Sequence, residues 1–256
     1  MKKGLLYIFA LLLCCSCMDM SMNWPEPPKA EPAGDGVGWL SLRLTSDGMD
    51  TRATAAEVDP DTFLITIFKG EDRITDTVRL KDLNPVLDAG FGYVLQAENC
   101  TSETAEVANG GWGQKHFFGR SASFVIRAGE TTTVKVACCV VNAGLAIDFD
   151  DAFRKRYPKC VVKMDGDRNI SWRSSDSGTA RVAYFNTGDD GAREVTFLVF
   201  LNGEDDPEPI GARVTLEAKK SITLVLSPKS ETGTFSFSVT YAPDFTEATD
   251  DSVELE

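Results

Sequence analysis

The residues nearest the start of the chain that could do chemistry are thiols. Cys14, Cys15 and Cys17 follow Met1, Lys2, Lys3 and an apolar run from Leu5 to Leu13. Two positive charges followed by about ten apolar residues make a secretory signal, too short for a bilayer that takes roughly 20 residues to cross. A lipoprotein signal peptidase needs a small residue immediately before the cysteine that receives the lipid. Ser16 meets that need for Cys17, whereas Leu13 precedes Cys14 and Cys14 itself precedes Cys15. The expectation is a signal peptide over residues 1–16 and a lipid on Cys17, holding the chain to the outer membrane.

Cys100, Cys138, Cys139 and Cys160 remain for the folded part, an even number in an exported chain, so bridged and free states both stay open. Adjacent residues of a strand point to opposite faces, so at most one of Cys138 and Cys139 faces a core. His116 is the single histidine and these four cysteines form no Cys-x-x-Cys, which leaves little for zinc or for a cysteine nucleophile with a histidine base. Asp165, Asp167 and Asn169 take positions 1, 3 and 5 of a calcium loop, but Ile170 stands where glycine belongs and Asp176 where a bidentate glutamate belongs. A solvated hairpin turn is the better reading. The acidic groups at 148–151 and 204–206 are loop residues on the same logic, because paired carboxylates mean something only at a fixed separation across a cleft. No nucleophile with its base, metal cluster or phosphate loop can be assembled, so the chain reads as non-enzymatic and no cofactor is expected.

Two features point instead to binding and processing. Trp112 lies in Asn109-Gly110-Gly111-Trp112-Gly113, where the glycines give the ring no strand face to hide in, and it is the candidate platform for a glycan or host ligand. Asp50-Thr51-Arg52-Ala53-Thr54-Ala55-Ala56-Glu57 is a stretch of small and polar residues holding one basic residue, the composition of an exposed loop open to proteases. The formal charge of −13 argues against nucleic acid or an anionic membrane surface as partner.

These residues need a scaffold, and its pattern is strand throughout. Residues 17–36 carry four prolines and no apolar periodicity, the composition of a disordered tether. Beyond it, Val37 to Thr45 alternates with period two, setting Leu40, Leu42 and Leu44 on the face to be buried. Further strands are predicted over 62–69, 74–80, 91–97, 122–127 and 131–141, and a second series over 143–149, 160–164, 180–185, 194–201, 211–217, 221–227 and 233–241. Turns at 128–130, 165–167, 187–191 and 202–204 read as hairpin connections. One helical turn is expected from Asp150 to Arg156, acidic at its start, basic at its end and stopped by Pro158. The fold class is all-β: two tandem antiparallel β-sandwich domains, 37–142 and 143–256, the second ending in an acidic tail.

In this order the motifs resemble a known family, the fimbrillin-like subunits and accessory proteins of the protease-assembled pili of anaerobic gut and oral bacteria. The residues that carry the resemblance are the lipoprotein signal, the first strand, Thr51-Arg52-Ala53, the run Leu87 to Ala97, Phe118-Gly119, Phe124-Val125-Ile126, Gly129 to Val134 and Asn142. The resemblance implies two β-sandwich domains and a cut by an arginine-specific protease between Arg52 and Ala53, which would remove the lipid and the first strand together. It further implies pilus subunits as partners, joined by strand exchange through the groove so opened. A donor strand from this chain would come from 234–256, unless 234–241 is simply the last strand of the second sandwich.

Overall fold

The first strand shows how the sequence builds this fold. In the computed structural model, which describes residues 34–46, 59–166, 168–229 and 235–241, β1 (Val37–Ser46) turns Leu40 into a core with Leu42 and Leu44 half-buried beside it, while Val37 and Trp39 face solvent. Period-two alternation has that consequence when one face of a sheet is covered.

The rest of the first half is β2 (Leu64–Lys69), β3 (Asp72–Arg73), β4 (Val78–Arg79), β5 (Val86–Asp88), β6 (Gly90–Glu98), α1 (Ser102–Val107), β7 (Phe117–Arg120), β8 (Phe124–Ile126) and β9 (Thr131–Val140). They form a nine-stranded sheet in the order β3-β2-β6-β7-β9-β1-β5, with β4 added to β2 and β8 to β6. Its two wings meet at β9 and share one core, in which Ile65, Ile67, Leu95, Ile126 and Val136 are sealed from water.

The second half is β10 (Ala143–Phe149), α2 (Asp151–Arg156), β11 (Val161–Met164), β12 (Ser171–Arg173), β13 (Ala183–Phe185), β14 (Ala192–Phe200), β15 (Ile210–Glu217), β16 (Ser221–Pro228) and β17 (Phe235–Tyr241). Two four-stranded sheets, β13-β10-β16-β17 and β12-β11-β14-β15, enclose a second core containing Leu145, Phe153, Trp172, Phe185, Phe197 and Leu224. Asp150 caps α2, accepting a hydrogen bond from the Phe153 N–H at 2.6 Å, and Arg154, Lys155 and Arg156 occupy its last turn.

The all-β reading holds, with three local corrections. Two of the three sheets are mixed, because β1 runs parallel to β9 and β10 runs parallel to β16. The predicted strand over 74–80 is reduced to the two residues of β4: the Thr75 hydroxyl takes the Ile67 N–H at 3.0 Å and the Thr77 hydroxyl bonds Thr66 at 2.8 Å, so side chains stand where a ladder would run. Of the four hairpin turns, 165–167 joins the paired β11 and β12, and 202–204 lies between the paired β14 and β15. The other two link strands that do not pair, 187–191 crossing from one sheet of the second half to the other and 128–130 leading from β8 to β9. Glycine there serves a change of direction between strands with different partners.

Candidate functional site

Two places in the described residues bear on the residues singled out in the sequence, and the first is the seat of β1. On one side β1 follows β9 in parallel register from Trp39 opposite Thr131 to Ser46 opposite Cys138. On the other side it pairs with β5 only over Val37–Trp39. The Trp39 N–H donates to Glu130 O at 2.8 Å and the Leu40 N–H to Pro85 O at 2.7 Å. Gly38 lets the strand sit this deeply: a Cβ there would lie 2.3 Å from Arg127 O and 2.8 Å from Ile126 Cγ2. Burying a leucine is worth about 1.5–3 kcal/mol, so Leu40 with the half-buried Leu42 and Leu44 contributes on the order of 3–6 kcal/mol of contact that the core loses if β1 leaves.

The second is the joint where the two cores meet. Asn142, buried between β9 and β10, accepts from the His116 N–H at 3.1 Å and donates from Nδ2 to Gln114 O at 2.8 Å, while its own carbonyl accepts from Lys219 N at 3.2 Å. His116 is buried too, with its Nε2 3.1 Å from Glu98 Oε2. Across from them, α1 is capped by Thr101 and continues into a left-handed stretch, Asn109 at φ 54° and Gly110 at φ 70°, that brings the chain against β13. There the Tyr184 N–H donates to Trp112 O at 2.8 Å, and Gly113 approaches so closely that a Cβ would lie 2.7 Å from Tyr184 O.

Arginines of the second half close on this segment. Arg168 donates from Nε to Gly111 O at 2.7 Å and from an Nη to Tyr184 O at 2.9 Å, lies 3.5 Å from Glu106 and stands over the Phe185 ring at 4.2 Å. Burial lowers its pKa, Glu106 opposes that fall and Arg193 adds to it. Arg193 reaches the same Glu106 carboxylate at 2.5 Å. Arg181 stands over Trp112 at 4.3 Å and donates to Asn109 O at 3.3 Å. The Trp112 ring also meets Trp172 edge-on at 5.2 Å and packs against the second core.

The residues singled out in the sequence fall as follows. Cys17, Arg52 and Ala53 lie outside the described residues. Trp112 is half-buried in the joint rather than held out on a free loop tip. Cys100, Cys138, Cys139 and Cys160 are all free thiols, with Cys138 turned into the core and Cys139 half-exposed, as neighbours in a strand must be. The acidic groups are occupied: Asp150 caps α2, Asp148 pairs with Arg154 at 2.8 Å, and Glu204 pairs with Lys163 at 2.6 Å and with Arg173. Those two cations hold Glu204 below the usual carboxylate range. Phe235 and Phe237 are buried in the second core, which makes β17 the last strand of its sheet. Sequence reasoning missed the three arginines, since residues 168, 181 and 193 follow no spacing that announces a shared target.

The class defined by this geometry is an all-β protein with two cores and mixed sheets. Residues 36–256 match the family described as Domain of unknown function (DUF4493), and the chain belongs to that family. No curated protein matches it. Among solved structures, a fimbrial assembly protein from Parabacteroides distasonis is similar at 13% identity, with a TM-score of 0.46 over 85% of this chain and 99% of that one. The fimbrial anchor protein Mfa2 from Porphyromonas gingivalis is similar at 9% identity, with a TM-score of 0.40 over 87% of this chain and 100% of that one.

Proposed function

We propose that this chain is a non-enzymatic cell-surface lipoprotein, a fimbrillin-like subunit or accessory that accepts a neighbour's strand after cleavage following Arg52. The signal over residues 1–16 directs export, the lipid on Cys17 moors the precursor to the outer membrane, and residues 17–36 act as a tether. The observation that carries the reading is the seat of β1. It is the first strand among the described residues, and Arg52 follows it in sequence before β2 begins. A cut there frees the whole of β1 and leaves β9 with an unpaired edge beside an opened core. An apolar strand from a second molecule satisfies both at once, by ladder hydrogen bonds and by side chains in the vacated pockets. We assign this chain the acceptor role, because β17 already serves its own core.

The test is to treat the full-length precursor with an arginine-specific protease and to follow it by N-terminal sequencing and size-exclusion chromatography. A single cut giving a new terminus at Ala53, followed by oligomers, is the expected result. Scattered cutting at many arginines, or a clean cut with no gain in size, overturns strand acceptance. A second reading, a permanently lipid-anchored module for a glycan or host ligand, draws on the cavity that Trp112 lines. A mature protein on cells that begins at Cys17 supports that reading, and one that begins at Ala53 supports the first.

A further inference from the structure

Arg181 stands out among the arginines of the joint. Arg168 and Arg193 share Glu106, Arg154 has Asp148 and Arg173 has Glu204. Arg181 has no carboxylate within ion-pairing distance among the described residues, in a chain whose formal charge is −13. Its contacts are the Trp112 ring beneath it and the long bond to Asn109 O. A guanidinium carries five N–H donors in a fixed fork, so most of those on Arg181 have no protein acceptor among the described residues.

Arg181 lines a cleft of about 320 Å³ together with Trp112, Asn109, Gln114, Lys115 and Tyr184 among others. That volume sits at the lower end of small-ligand sites, roughly 300–1,000 Å³, and suits one or two sugar rings. Among the described residues no acidic side chain lines it. Asn109 and Gln114 spend their side-chain N–H groups on Gly113 O and Cys100 Sγ, which leaves their side-chain oxygens to accept from hydroxyl groups. A second cavity, of about 370 Å³, lies against the same Trp112 and Arg181, but the other arginines there are committed to Asp148 and Glu204.

We propose that the first cleft binds a carboxylated sugar, its carboxylate on the Arg181 fork and its hydroxyls on the Asn109 and Gln114 oxygens. An alkyl carboxylate would waste the amide lining, and a neutral sugar would leave the Arg181 charge unanswered. No residue of β1 lines the cleft, so the proposal does not depend on cleavage at Arg52.

The experiment titrates the purified full-length chain with trigalacturonic acid and with 3'-sialyllactose, following tryptophan fluorescence and calorimetry. Maltotriose and a diglutamate peptide serve as comparators. At least one acidic sugar is expected to bind, more weakly as salt rises, with affinity falling tenfold or more in Arg181→Gln and several-fold in Arg181→Lys. The Arg181 side chain is exposed, so both variants should keep the parent circular dichroism. Failure of both acidic sugars to bind overturns the proposal. So does equal binding of maltotriose or of the peptide, or undiminished binding by Arg181→Gln.

Discussion

Replacing Asn142 with alanine tests whether the two cores are held together by hydrogen bonds that water cannot replace. The side chain makes two bonds, one accepted from the His116 N–H at 3.1 Å and one donated to Gln114 O at 2.8 Å. His116 is 7% exposed, so its orphaned N–H would bear a desolvation cost of about 1–3 kcal/mol. Gln114 is only half-buried, and its carbonyl can recover water, so losing that bond costs about 0.5–1.5 kcal/mol. The expected loss is about 2–4 kcal/mol, a large share of the roughly 5–15 kcal/mol that stabilises a typical domain. Guanidinium unfolding followed by circular dichroism reads it as a lower midpoint. Asn186→Ala is the comparator, because it removes one exposed turn bond, to the Gly188 N–H, and should cost under about 1 kcal/mol. An Asn142→Ala loss below about 1 kcal/mol, or equal losses at the two sites, would refute the reasoning.

Two further outcomes follow from the first core and from the thiols. Gly38→Ala sets a Cβ against the Arg127 carbonyl and should cost about 1–3 kcal/mol by overpacking, seen as a lower melting temperature. Burial pushes the Cys138 thiol up to about 11 and Cys160 up to about 12 from an ordinary 9.0, so neither should alkylate at pH 8 in the native protein, and mass spectrometry should find iodoacetamide first on the half-exposed Cys139. Because the raised values favour the protonated thiols in the fold, their contribution is whole below 9.0 and is lost as pH climbs through about 11 and 12, a decline that unfolding midpoints across that range should record.

Local chemistry was legible wherever it was written in consecutive residues. The leucine face of β1, the cap and basic end of α2 and the opposed side chains of Cys138 and Cys139 all follow from periodicity and capping. Direction and partnership were not legible, because alternation says which face a residue takes and nothing about which strand lies alongside. Hence the parallel pairings of β1 with β9 and of β10 with β16 came only with the fold. Strands of three or four residues, such as β5, β7 and β12, are shorter than the window in which alternation can be counted. The helix α1 could have been suspected from Thr101, which caps it ahead of Ser102 and Glu103. Arg168, Arg181 and Arg193 had no such signal, since what unites them is the segment they grip from a distance in the chain.

Under the proposed exchange of β1, the notch at Gly38 would act as a reader of sequences. Any strand that replaces β1 in the same register and direction must present a residue without a Cβ beside the Arg127 carbonyl, then apolar side chains two, four and six positions later, where Leu40, Leu42 and Leu44 sit. A candidate partner can be screened for that spelling, glycine followed by three alternating apolar residues, before any complex is made. Strands that are merely hydrophobic would be turned away at the first position.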